Sequence, residues 1–406
     1  MADFHYLCIS MEKHHKFIFM NRKIMLLVAF IVAGALQLRA GIKILHGPYL
    51  QNLDEREVTI VWVTDNPSTG WVETAPDDGT HFYAEERPKT FDTKIGIKNT
   101  SRVHAVKLTG LQPGTRYRYR VCSQEVTAHE GARVTYGDIV SSDVYYKAPP
   151  TFTTNDHDKP YARFAMVNDI HGRNDVLESL IGQCDFGKTD LILFNGDMTS
   201  IMDSEEHMFG GFMDKAVDMF AKEVPAYYCR GNHETRGAMA PYMKEYFNPL
   251  IGEMFFMFRQ GPVCFVVLDC GEDKPDTDVE YYGITAYDGY RTRQAAWLKA
   301  ALQSKMYTEA PFKVVVCHMP PFGGWHGERE IAAKFMPLLN EAKPDVYLSA
   351  HLHKNIRHDA GEDGASFPLI VNSDKTLLKA EADAHKMTIT IHDTSGKEID
   401  RLAIEK

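Results

Sequence analysis

Between Arg163 and His353, five short apolar runs break off at the same kinds of residue. RFAMV (163–167) leads to Asp169 and His171, and DLILF (190–194) to Asp197. PAYYC (225–229) leads to Asn232, His233 and Glu234. KVVVC (313–317) leads to His318, and DVYLS (345–349) to His351 and His353. Amphipathic stretches such as NDVLESLIGQC, TRQAAWLKAAL and EREIAAKFMPLLNEA separate the runs. That alternation predicts strands and helices in α/β layers. In such layers, sites form at the carboxyl ends of strands. One Asp after a strand predicts only a helix cap; five strand ends in one register predict a site.

The first half keeps a different rhythm. VTIVWVT (58–64) and RYRYRVC (116–122) read as strands, and no helical period interrupts residues 41–154. In LTGLQPGTRYRYRV (108–121), Tyr117 follows a turn, the place of a sandwich's corner tyrosine that bonds back to preceding backbone. NDHDKP (155–160) is polar and ends in proline, so it reads as a linker. A chain of 406 residues exceeds what one core usually serves. The expected division is a signal and upstream extension at 1–40, an all-β sandwich at 41–154, a linker at 155–160 and the site-bearing α/β domain at 161–406.

Arg22 and Lys23 precede the apolar run 24–36, and small residues follow at Ala40 and Gly41. This pattern predicts a cleaved export signal and a periplasmic or extracellular protein. The run is shorter than the roughly 20 residues a span needs, so no stable membrane span is expected after cleavage. The net charge of −10 excludes a general nucleic-acid-binding face. Cys229, Cys264 and Cys317 fall inside apolar strand runs and read as small buried thiols. The sequence does not fix the oligomeric state.

Burying so many Asp and His side chains together is costly unless something compensates their lost hydration. Divalent metal does so, and mixed carboxylate and imidazole donors suit manganese, iron or zinc. Asp169 with His171, and His351 with His353, are odd-spaced pairs that share one side of an extended segment. Gly172, Gly196 and Gly231 beside them permit tight strand-to-loop turns. Seven donors exceed one tetrahedral site. One bridging carboxylate makes them two.

The motifs DIH, GDMT, GNHE, His318 and AHLH, in that order, resemble those of the calcineurin-like metallophosphoesterases over about residues 160–360. GPYLQ at 47–51, VTIVW at 58–62 and the Tyr117 region resemble the fibronectin type III-like N-terminal domain of purple acid phosphatases. The resemblance implies a four-layer domain with two mixed sheets flanked by helices. It implies one metal on Asp169, His171, Asp197 and His353, and another on Asp197, Asn232, His318 and His351, with Asp197 bridging. It further implies that a water activated by two divalent ions attacks the phosphorus of a small phosphate ester, with His233 catalytic. Two departures matter. Purple acid phosphatases carry a tyrosine three residues after the bridging aspartate, where this chain has Ser200, and they lack the histidine found here at 171. Without that phenolate a colourless enzyme using divalent metals is expected. Ala350 replaces the usual glycine of GHxH.

The long loop 271–292 and the PPFGGWHGE segment 320–328 carry aromatic residues that can face a substrate. The expected activity is phosphate monoester hydrolysis. The alternatives are a phosphodiesterase or nucleotidase with the same metals, and a non-catalytic metal-containing protein that binds a partner.

Overall fold

The computed structural model describes residues 41–406, so the expected export signal lies outside the described residues. Ile42–Lys406 forms one compact unit. Among the described residues no helix is long and apolar enough to cross a membrane.

The first strands are organised by one long element, Glu57–Pro76. Its first half pairs with Ile44–Gln51 on one side and Thr100–Thr109 on the other. Its second half pairs with Arg116–Glu130 and Lys89–Phe91. The register breaks between Val63 and Ser68, where the strand passes from one set of partners to the next. Seven strands therefore hydrogen-bond as one sheet, and the sheet folds over itself. Val58, Ile60 and Trp62 from the first half meet Val72, Tyr119 and Val121 in a single core. Tyr117 closes the expected corner, its hydroxyl accepting a hydrogen bond from the Gln112 backbone N–H at 2.9 Å.

The second half stacks two six-stranded mixed sheets. In the first, Ala226–Cys229, Leu191–Asn195 and Tyr161–Val167 run parallel, and Thr376–Asp383 joins Tyr161–Val167 antiparallel. In the second, Val263–Leu268, Phe312–Cys317, Val346–Ser349 and Leu369–Val371 run parallel. Side chains alternate between the faces of a strand, and here both faces are covered. Val263, Phe265 and Val267 point into the layer between the sheets. Cys264, Val266 and Leu268 point outward, under helices Tyr287–Ala301 and His326–Lys334. Burial on both faces explains why these strands read as unbroken apolar runs. The first sheet's outer face is covered by helix Asn174–Ile181 and by the helical run from Glu205 to Ala221, which contains two π-helical turns. The result is the α/β/β/α arrangement expected.

The two halves share hydrophobic core. Tyr49, Val61 and Val63 of the folded sheet pack among Phe209, Met213 and Tyr246. The Tyr49 hydroxyl donates to the Tyr246 carbonyl at 2.9 Å, and the Tyr227 hydroxyl to the Leu53 carbonyl at 3.0 Å. The connection at 155–160 is pinned as well, with Asn155 Nδ2 donating to the Leu53 carbonyl at 2.9 Å. Cys229, Cys264 and Cys317 are buried and unpaired, as read from their apolar runs.

Candidate metal centre

The carboxyl ends of the parallel strands of both sheets converge. The first sheet contributes Asp169, His171, Asp197, Asn232 and His233, and the second His318, His351 and His353. The loops are laced by backbone bonds. Asp169 N–H donates to Gly196 O (2.9 Å), His171 N–H to Asp197 O (3.0 Å) and Ala350 N–H to His318 O (2.8 Å).

The backbone here departs from the extended path that odd spacing suggests. Asp169, His171, Asp197, His351 and His353 all have positive φ, between 50° and 71°. Each left-handed residue of this kind costs of order 1–3 kcal/mol and persists where surrounding structure enforces it, commonly at functional sites. Gly196 and Gly231 are required by close approach. A Cβ on Gly196 would lie 2.5 Å from His318 Nδ1, and one on Gly231 would lie 2.2 Å from Asp197 Oδ1.

Three triads of donor atoms result, each with its atoms within 4.8 Å of one another: Asp169, His171 and His353; Asp197, His318 and His351; and His171, Asp197 and His233. Asp197 Oδ2 lies 3.1 Å from His318 Nε2, and Asp169 Oδ1 lies 3.2 Å from His353 Nε2. His318 Nδ1 bonds the Asn195 carbonyl at 2.7 Å, which turns Nε2 inward.

The electrostatics follow from burial and charge. Burial alone would raise the pKa of Asp197, but the charge of His318 outweighs it and holds the carboxyl far below the usual range. Burial opposes the charge on His318, yet Asp197 and Asp169 together push its pKa up. Burial and then the His318 charge bring His351 down to about 4. Burial lowers His171, whereas the neighbouring Asp169 carboxylate raises His353.

The donors fit a pair of divalent cations. Asp169 Oδ1 is buried between two imidazole nitrogens, His353 Nε2 at 3.2 Å and His318 Nε2 at 3.9 Å, and neither contact has the geometry of a hydrogen bond. Asn232 turns its amide oxygen toward acceptors, 3.1 Å from His351 Nδ1 and 3.3 Å from Asp197 Oδ2. Turning the amide would satisfy these atoms by hydrogen bonds. With the oxygen inward, it faces the same space as Asp197 Oδ2 and His351 Nδ1, while the amide nitrogen meets Arg236 Nη2 at 3.3 Å.

Around the donors lies a supporting layer. Glu234 is fully buried and accepts from the backbone N–H groups of Asp197 (2.9 Å), Gly231 (3.0 Å) and Thr199 (3.2 Å), so it supports the loop. Arg173 and Arg236 are engaged within the protein, with Asp374 at 3.1 Å and Glu272 at 2.8 Å respectively. Sequence reasoning missed Asn168, whose Nδ2 donates to Asp169 Oδ2 at 2.8 Å, and Asp374, which sits 3.9 Å from His353 Nδ1. The signal for Asp374 was present: strand Leu369–Val371 is a further strand end, followed by Asn372, Ser373 and Asp374.

Stacked mixed sheets with Asp, Asn and His converging from their carboxyl ends are the arrangement of the metal-dependent phosphoester hydrolases. More narrowly, residues 162–355 match the calcineurin-like phosphoesterase family, and residues 48–146 match the purple acid phosphatase N-terminal domain. The chain carries both domains. It is 23% identical over 333 residues to purple acid phosphatase 18 of Arabidopsis thaliana, an alignment covering 77% of this chain and 66% of that protein. It is 23% identical over 272 residues to acid phosphatase type 7 of Mus musculus, covering 65% and 56%. The chain thus spans about two thirds or less of these relatives' lengths. The structure of purple acid phosphatase PPD1 from yellow lupin (Lupinus luteus) superimposes with a TM-score of 0.63 at 15% identity, covering 88% of this chain and 74% of that one. At that identity the likeness establishes the fold.

Proposed function

We propose that this chain is an exported, binuclear-metal phosphoesterase that hydrolyses small phosphate monoesters. The observation that carries the reading is the pair of donor triads, Asp169–His171–His353 and Asp197–His318–His351, at one convergence of strand ends. One cation would be held by Asp169, His171, Asp197 and His353, the other by Asp197, Asn232, His318 and His351, with Asp197 shared. A divalent pair so bound lowers the pKa of a coordinated water and draws charge from phosphoryl oxygens. Manganese, iron(II) and zinc all suit the donor set.

The chain's own residues complete the reaction. The His233 ring is 31% exposed and so reaches the opening of the site. Its Nδ1 is within 2.9 Å of the Ser200 carbonyl, which leaves Nε2 to face the substrate. With Nδ1–H held by that carbonyl, Nε2 donates to the phosphoryl oxygens or hands a proton to the leaving alcohol when the ring carries a second proton, as imidazolium. Glu234 and Asn168 hold Asp197 and Asp169 in place, so the site is preorganised. Monoester substrates are supported by the relatives, which carry the name acid phosphatase. Export is supported by the basic-then-apolar pattern of residues 22–36.

The test is the rate of p-nitrophenyl phosphate hydrolysis against that of its bis-ester, after stripping metal and adding back manganese, zinc or iron(II). Faster monoester turnover that requires added metal is expected. A diester preference would replace the substrate assignment, and silence on both with every metal would sink the enzymatic reading.

A further inference from the structure

We propose that Ser200 is a positioning residue for two histidines at once. Its hydroxyl sets which ring nitrogen of His171 faces the site, and its carbonyl does the same for His233. The consequence for metal binding rests on the cation reading above; the positioning itself does not.

The geometry is specific. Ser200 Oγ lies 3.2 Å from His171 Nδ1, and Ser200 O lies 2.9 Å from His233 Nδ1. The two rings meet edge to face, with centroids 4.9 Å apart and planes at 86°. A carbonyl oxygen only accepts, so His233 must carry its proton on Nδ1 to make this bond. The hydroxyl accepts equally well from His171 Nδ1–H. With Nδ1–H as the donor in each bond, a neutral ring at either position presents an unprotonated Nε2. His171 belongs to the triad with Asp169 and His353, and with Nδ1 engaged by Ser200 the nitrogen left free is Nε2. A histidine that ligates metal generally has its other nitrogen held by a hydrogen-bonding partner, which fixes tautomer and ring orientation.

The arrangement also accounts for the residue type. Ser200 is exposed, so its hydroxyl is not there to satisfy a buried core. Alanine at this position would keep the carbonyl and lose the grip on His171. The residue therefore acts separately on its two partners, one through the side chain and one through the backbone, and the two effects can be measured apart.

The experiment is nitrogen-15 NMR of the histidine rings in metal-free protein, comparing wild type, Ser200→Ala and Ser200→Thr. The His171 signals are assigned by their loss in His171→Asn, and those of His233 by their loss in His233→Asn. Wild type should show the Nδ1–H tautomer at both rings. Ser200→Ala should mix the tautomers at His171 while leaving His233 unchanged, and Ser200→Thr should restore the wild-type pattern. Cobalt(II) affinity, measured by chelator competition, should fall about 10- to 100-fold in Ser200→Ala and recover in Ser200→Thr. An unchanged His171 tautomer in Ser200→Ala, or a His171 held as Nε2–H in wild type, would overturn the proposal. If wild type takes up no cation, the cation reading fails, and the tautomer pattern still decides the role of Ser200.

Discussion

Asp197 Oδ2 and His318 Nε2 stand 3.1 Å apart, both side chains almost wholly removed from water, one delivered by each sheet. Without metal the two form an ion pair, with His318 raised and Asp197 lowered in pKa. The sign is clear for each. The His318 contribution to stability is complete below its ordinary value of 6.5 and disappears as pH rises through its higher folded value. The Asp197 contribution is complete above 3.8 and disappears as pH falls through its lower folded value. A cation on His318 Nε2 must displace that proton. Titration calorimetry near pH 7 in buffers of different ionisation enthalpy should therefore show proton release, and manganese affinity should rise with pH. Uptake with no proton released would contradict this account, and Asp197→Asn should remove uptake.

Gly231 packs directly against that aspartate. A Cβ at this position would come within 2.2 Å of Asp197 Oδ1 and 2.4 Å of its backbone nitrogen. Gly231→Ala must push the two loops apart, at about 1–3 kcal/mol by the usual scale of overpacking. The variant is expected to unfold at lower urea concentration and to lose metal-dependent stabilisation. Wild-type metal affinity in this variant would mean that the loops tolerate displacement.

His157 lies in the connection between the halves, its Nε2 3.0 Å from Asp54 Oδ1 and its Nδ1 3.5 Å from Glu55 Oε2. The hydrogen bond to Asp54 raises the pKa of His157, and the same bond lowers that of Asp54. The histidine's contribution is complete below 6.5 and fades as pH climbs past its raised value. The aspartate's contribution is complete above 3.8 and fades as pH falls below that. The pair is strongest between these limits. Because both groups are partly exposed, the effect should not exceed about 1 kcal/mol. The melting-temperature deficit of His157→Gln should be greatest near pH 5 and shrink above pH 8; a deficit independent of pH would refute the linkage.

Ser200 bears on colour as well as on orientation. The residue three places after Asp197 is a serine, which brings no phenolate to the donors. Iron-loaded protein is expected to lack the visible charge-transfer band of a ferric phenolate. An intense visible band that survives dialysis would show that a tyrosine reaches the metal.

Sequence alone pointed to the residues that converge, because they follow strand ends and strand ends are legible. Runs such as KVVVC announce strands covered on both faces, and the residue after each run is placed by strand geometry. Asp169, Asp197, His318 and His351 could be named on that basis, and the corner role of Tyr117 from the turn before it. Tertiary structure decided what local pattern does not encode. It set the left-handed turns that aim Asp169, His171, His351 and His353, where alternation suggested extended chain. It brought Asn168 and Asp374 to the donors and turned Arg173 and Arg236 toward acidic partners within the protein. It gave the first half one continuous folded sheet, since the span of Glu57–Pro76 across both layers depends on its pairing partners. It also merged Tyr49, Val61 and Val63 into the core of the other half. The physical reason is common to all of these. Period and composition report a residue's own strand or helix, whereas hydrogen-bond partners, ion pairs and shared cores depend on distant segments, 197 residues away for Tyr49 and Tyr246 and 201 for Arg173 and Asp374.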